Sequence, residues 1–182
     1  MSKVVVLGGN ARSGKSTLSF ELVKHGFSRI SFDNLYEAIE TAFNLNMDEV
    51  EEKTKFNLFE NIVNKSLDEA KNENTNIVID MYDFLPEDIN KLERKNELEV
   101  YFLAYPNCSE EEIKYNVKHY AKLTDWIAQV NEEYLSSCAK RFFDRNKLLV
   151  DECNKYNMEL INTGSGKQRK KSLQELLNKI VK

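Results

Sequence analysis

The sequence predicts an α/β fold, a five-stranded parallel sheet with helices on both faces. Three observations carry that prediction. Five apolar runs of strand length recur along the chain, several of them apolar at successive positions, as strands buried on both faces require. Each run is followed by a stretch with helical periodicity, and alternating strands and helices imply crossovers between parallel neighbours. The first strand–helix junction carries a glycine-rich loop of a kind that works only with a strand running in and a helix running out.

Val4-Val5-Val6-Leu7 is the first strand, and Ser16-Thr17-Leu18 opens a helix bearing Leu18, Leu22 and Val23. Gly26 is placed to end it. Phe27 to Phe32 reads as the second strand, closed by Asp33, with a helix over Asn34 to Leu45. A longer helix spans Glu51 to Asn72 and carries Phe56, Phe59, Ile62, Val63 and Leu67 on one stripe. Thr75 to Asp80 is the third strand, and Pro86 to Asn96 a short helix with proline in its first turn. Leu98 to Tyr105 is the fourth strand, stopped by Pro106. Ser109-Glu110-Glu111-Glu112 is a capping box that starts a helix with Ile113, Val117 and Ala121. The helical pattern weakens around Leu123 to Trp126 and resumes from Glu132 to Tyr156. Met158 to Asn162 is the fifth strand, and Ser172 to Val181 a closing helix. Right-handed crossovers then place a ligand at the carboxyl ends of the strands.

Gly9-Asn10-Ala11-Arg12-Ser13-Gly14-Lys15-Ser16 fits G-x-x-x-x-G-K-[ST] at every fixed position, with Thr17 continuing into the helix. Such a loop aims backbone N–H groups and a helix N-terminus at phosphate oxygens. Gly9 and Gly14 let the main chain approach and turn, Lys15 reaches the β- and γ-phosphates, and the Ser16 hydroxyl suits Mg²⁺. The chain is therefore expected to bind a nucleoside triphosphate with Mg²⁺.

Composition narrows the rest. The 182 residues suit a single domain with a sizeable core, and a net charge of −4 without a long basic run argues against a nucleic-acid partner. Cys108, Cys138 and Cys153 are odd in number and far apart, which suits reduced thiols in a cytoplasmic protein. No apolar stretch is long enough to cross a bilayer, and a first strand at residues 1–7 leaves no room for a signal peptide. No Asn-Lys-x-Asp guanine-reading signature is present. Acidic residues stand at the ends of the second and third strands, Asp33 and Asp80.

With Gly9 to Thr17, Ile30-Ser31-Phe32-Asp33 and Val78-Ile79-Asp80 ahead of Pro86, the chain resembles the small P-loop kinases: nucleoside monophosphate kinases, shikimate and gluconate kinases, and antibiotic phosphotransferases of that fold. The resemblance implies a P-loop core, a helical lid between the fourth and fifth strands (about residues 118–140), and phosphoryl transfer from ATP to a small-molecule acceptor. It gives Asp33 contact with the acceptor hydroxyl, where a carboxylate orients the hydroxyl and takes its proton. The alternative is a helix N-cap. Asp80 matches the aspartate that supports Mg²⁺ through its water shell, against a strand-end turn residue, with Asp83 a competitor for either carboxylate's role. Arg141 and Arg145 match lid-flanking arginines that neutralise the transferring phosphoryl group, against salt bridges with Asp144 or Glu152. Gly164, in Thr163-Gly164-Ser165-Gly166-Lys167, falls where such kinases hold the adenine edge.

The chain departs from the monophosphate kinases in one respect. They carry arginines in the helix after the second strand and just after the third-strand aspartate, and here neither Asn34–Leu45 nor Asp80–Asp83 supplies a basic residue. The expected acceptor is thus a hydroxyl compound without a phosphate, a neutral or cationic ring or sugar such as a nucleoside, an amino-sugar compound or another metabolite, held by Tyr36, Tyr82 and Phe84 with Asp33, Asn34, Glu37 and Asp83. Arg29 and Arg94 are the residues able to overturn this by folding over the site. A nucleoside monophosphate kinase and a non-kinase nucleotide-binding regulatory module are the competing readings.

Overall fold

A computed structural model of the chain describes residues 2–121 and 126–182, with the backbone alone at Trp126 and Ala128. Five parallel strands form one sheet in the order β2-β3-β1-β4-β5: β1 Val4–Gly9, β2 Phe27–Ser31, β3 Asn76–Asp80, β4 Leu98–Ala104 and β5 Glu159–Asn162. β1 is central, with Val4 to Leu7 opposite Ile77 to Asp80 on one side and Val4 to Gly9 opposite Leu98 to Leu103 on the other. Its unbroken apolar run follows from that position, because successive side chains enter opposite cores.

On one face Val4 and Val6 meet Phe59, Val63 and Leu67 of α3 (Glu52–Glu73) and Leu149 and Cys153 of α6 (Glu132–Tyr156). On the other face Val5 and Leu7 meet Leu18 and Leu22 of α1 (Lys15–Lys24) and Leu176, Leu177 and Ile180 of α7 (Gly166–Ile180). Above the carboxyl ends of the strands α5 (Glu110–His119) packs on α6 through Ile113, Val117, Leu135 and Phe142. The capping box of α5 forms as expected, with Ser109 accepting from the Glu112 amide and Glu112 from the Ser109 amide.

Three element boundaries differ from the sequence reading. β2 ends at Ser31, and α2 runs Phe32–Phe43, because Phe32 turns into the core against Phe59 and Phe84 instead of continuing the strand. α4 (Pro86–Lys91) stops well short of Asn96, since Leu92 leaves the helix in an extended conformation and buries in the core beside Ile89. α7 begins at Gly166, six residues before Ser172. The weakened pattern at Leu123-Thr124-Asp125 lies outside the described residues, and Trp126–Gln129 is a 3₁₀ turn.

Candidate active site

Parallel strands bring all their carboxyl ends to one edge, where the loop after β1 and the starts of α1, α2 and α7 gather around a cavity of about 740 Å³. Ala11, Arg12, Gly14, Lys15, Ser16 and Thr17 line it, facing Asp33, Tyr82, Arg141 and Arg169. Gly9, Asn10 and Ser13 stand behind this surface, buried. Gly14 is the residue before α1, with φ of 101°, a left-handed conformation that glycine adopts without strain.

The loop is held from behind by buried amides. The Asn10 side chain donates to the Phe142 carbonyl at 2.6 Å and to Asn146 Oδ1 at 2.9 Å, while its own Oδ1 accepts from the Ala11 amide at 2.8 Å. Asn146 Oδ1 also accepts from the Tyr105 amide at 3.2 Å, and the Tyr105 hydroxyl donates to the Ala11 carbonyl at 2.7 Å. α6 and the end of β4 thereby fix the glycine-rich loop from two sides. Sequence reasoning missed this, since Asn146 sits at a spot on α6 where an apolar residue would equally suit the periodicity. Asn146→Ala should destabilise the fold by about 2 kcal/mol, because it leaves buried amide groups of Asn10 and Tyr105 unmatched. Chemical denaturation checks the stability.

Lys15 is buried, with its ammonium donating to the Asn10 carbonyl at 2.7 Å and the Gly9 carbonyl at 3.3 Å. Burial lowers its pKa to about 8, opposed by the charges of Asp80 and Asp33. Asp33 lies in the first turn of α2, and the residue before the helix is Ser31, so Asp33 is not the N-cap. Its carboxyl faces the cavity with its pKa raised by the protein crowded around it and held back by Lys15. A carboxylate so placed can take a proton from a hydroxyl brought up to the phosphate loop.

Asp80 is buried at the end of β3. Its Oδ2 accepts from the Arg29 guanidinium at 2.7 Å and from the Ser19 hydroxyl at 3.0 Å, and Arg29 lies over the Phe20 ring at 4.5 Å. Arg29 is thus committed to Asp80, and Arg94 to Asp68 at 2.8 Å and Glu97 at 2.7 Å, so neither is spare for the acceptor side. The donor set suits Mg²⁺: the Ser16 hydroxyl is open to the cavity, and Asp80 Oδ1 accepts no hydrogen bond from the described residues. Among the described residues no group of three or more His, Cys, Asp or Glu side chains converges. Mg²⁺ keeps most of its waters and takes one or two protein oxygens.

Arg141 reaches the cavity wall. Arg145 does not line it, and pairs with neither Asp144 nor Glu152 among the described residues. Its guanidinium stacks on the Tyr82 ring at 4.1 Å and donates to the Tyr82 carbonyl, leaving Nε buried without a partner. Gly164 is likewise set back, its carbonyl accepting from Arg169 at 3.2 Å. Arg169 is the cavity residue that sequence reasoning missed; its Nε also lacks a partner, and burial lowers its pKa, opposed by Tyr105 and Cys108. The early start of α7 is what brings it there. Phe84, expected as an acceptor wall, stacks on Phe59 at 4.2 Å and belongs largely to the core.

No protein-family model matches the chain, and no curated protein sequence matches it. Solved structures do. A shikimate kinase from Bacteroides thetaiotaomicron superposes with a TM-score of 0.57 at 19% identity, covering 98% of both chains. A gluconokinase from Sinorhizobium meliloti 1021 gives 0.57 at 14% identity, over 98% of this chain and 95% of that one. A dephospho-CoA kinase from Campylobacter jejuni gives 0.53 at 13% identity, over 100% and 98%. The match extends over both flanks of the sheet and the helices above it, and the chain has the fold of the small P-loop kinases.

Proposed function

We propose that the protein transfers the γ-phosphoryl group of ATP to a hydroxyl of a small molecule. The observation that carries this reading is the placement of Asp33 across one cavity from Lys15 and Ser16, with Arg141 on the same wall system. The acceptor oxygen attacks the γ-phosphorus, the bond to the β-phosphate oxygen breaks, and ADP leaves with the electron pair. The hydroxyl proton passes to the Asp33 carboxylate. Lys15 and the loop amides hold the β- and γ-phosphates, and Arg141 neutralises charge on the phosphoryl group as it moves. Mg²⁺, held by Ser16 and supported by Asp80, would supply further charge neutralisation.

Asp33→Asn keeps the shape and removes the base, so acceptor phosphorylation should fall on the order of a hundredfold while ATP binding persists. The pH profile adds a second readout. Asp33 works only when ionised, and its raised pKa moves the acid limb of kcat/KM above the usual carboxylate range. Below that limb the carboxyl is protonated and activity falls; in Asp33→Asn the limb should vanish. A fully active Asp33→Asn protein would remove Asp33 from the chemistry. A panel with labelled ATP that sets unphosphorylated alcohols against nucleoside monophosphates tests the acceptor class.

A further inference from the structure

We infer that Arg29 sets the metal selectivity of the nucleotide site, holding Asp80 to a single free oxygen so that Mg²⁺ is accepted and Ca²⁺ disfavoured. This rests on the Mg–ATP part of the reading above and names the residues that choose the ion.

Asp80 is 3% exposed, and its two carboxylate oxygens are used differently. Oδ2 accepts from Arg29 Nη2 at 2.7 Å and from the Ser19 hydroxyl at 3.0 Å, which fills its lone-pair positions. Oδ1 accepts from none of the described residues. Ser19 is fully buried and has the Ser16 carbonyl as a second acceptor at 3.1 Å. The carboxylate is the charged acceptor of the two, and Arg29 Nε donates to the same hydroxyl oxygen at 2.7 Å. The serine proton is thereby directed at Asp80.

The clamp is held from several sides. Arg29 uses two nitrogens of one planar fork for Ser19 and Asp80, and its guanidinium lies over the Phe20 ring at 4.5 Å. β2 and β3 fix it in register, with Arg29 opposite Val78 and Ser31 opposite Asp80, so both partners project from the same face of the sheet. The two ions ask different things of a carboxylate. Ca²⁺ takes about six to eight oxygens in a loose sphere and commonly uses both oxygens of one carboxylate, whereas Mg²⁺ is smaller and keeps several waters. An aspartate with one oxygen to offer, beside the single hydroxyl of Ser16, meets the second demand and fails the first. Removing the Arg29 donors would return Oδ2 to the metal. The charge lost with Arg29 changes the attraction for both divalent ions alike, so the ratio of their affinities reports the oxygens offered and not the net charge.

The full chain is titrated calorimetrically with a non-hydrolysable ATP analogue saturated either with Mg²⁺ or with Ca²⁺. Wild type should bind the Mg²⁺ complex more tightly. In Arg29→Met, which keeps an extended side chain but cannot donate, that preference should fall on the order of tenfold, the scale of a charge-assisted hydrogen bond. Ser19→Ala frees one position on Oδ2 without changing any charge, and should move the ratio the same way by less. Thermal melts without nucleotide report that each variant is folded, and if Arg29→Met does not fold, Ser19→Ala decides. In an Asp80→Asn background neither substitution should move the ratio, whereas a general loosening of the site would move it there too. Equal binding of the two complexes by wild type, an unchanged ratio in the folded variants, or the same shift without the Asp80 carboxylate overturns this inference and leaves nucleotide binding standing. Binding of neither complex by wild type overturns the Mg–ATP reading, and this inference with it.

Discussion

Lys15→Ala should lower phosphoryl transfer on the order of a thousandfold, the effect of removing a preorganised charge aimed at the reacting phosphate. The same change should cancel most of the stabilisation by ATP, which amounts to about 2.7 kcal/mol at a hundred times the dissociation constant. Its effect on the unliganded fold should run the other way. The ammonium is buried against loop carbonyls and its pKa is lowered to about 8, so below that pH the folded state carries a charge it disfavours. Set against an ordinary lysine, this costs about 3 kcal/mol. Between pH 8 and the usual lysine value the unfolded chain binds the extra proton, and wild-type stability rises with pH through that window. Lys15→Ala should therefore melt no lower than wild type at pH 7, and any excess should shrink toward pH 10. Thermal melts of both proteins at several pH values, with and without Mg-ATP, check each part. A variant that bound ATP as tightly as wild type would remove Lys15 from the phosphate site.

What was legible in the sequence followed from local rules. An apolar run at Val4 to Leu7, the spaced glycines, and Lys15-Ser16 opening a helix locate the loop, because its backbone geometry depends on residues adjacent in the chain. The five-stranded parallel sheet was legible for a similar reason: doubly buried strands and alternating helices leave few topologies. Features decided by long-range packing were not. Phe32 reads as the last strand residue by composition, yet it starts α2 because its ring fills a space between Phe59 and Phe84. Gly166 to Lys171 carries no apolar stripe, so nothing local marks the first turns of α7, and Arg169 stayed hidden in an apparent loop. Asn146 and Tyr105 hold the phosphate loop from 136 and 94 residues away, and no pattern at either position announces that. The charged side chains near the site followed the same division. Asp33 and Asp80 could be placed from strand ends, whereas the pairing of Arg29 with Asp80 depends on two neighbouring strands in register, Arg29 opposite Val78 and Ser31 opposite Asp80.

Gly9→Ala should disrupt the site from within the sheet. Gly9 is the last residue of β1, lies opposite Leu103 in the ladder, and has φ of 129°, a conformation that side chains strongly disfavour. A Cβ built there falls 2.1 Å from the Leu103 carbonyl oxygen and 2.6 Å from its amide nitrogen. Both are backbone atoms of the adjacent strand, so no rotamer change relieves the contact. That carbonyl also accepts the Asn10 amide at 2.9 Å, the bond that carries the chain from strand into loop. Backbone strain and overpacking together should cost about 4 kcal/mol. Gly8 gives the contrast: a Cβ there meets only the ring edge of Phe102, at 2.4 Å, and a ring can turn where a central strand cannot. Gly9→Ala should accordingly destabilise the fold more than Gly8→Ala in chemical denaturation. The surviving folded fraction should bind ATP weakly, because β1 and β4 can separate only by moving Asn10, and with it the carbonyl that holds Lys15. Equal stability of the two variants would mean that the loop tolerates a side chain at Gly9, and that the close approach of β4 does not set its shape.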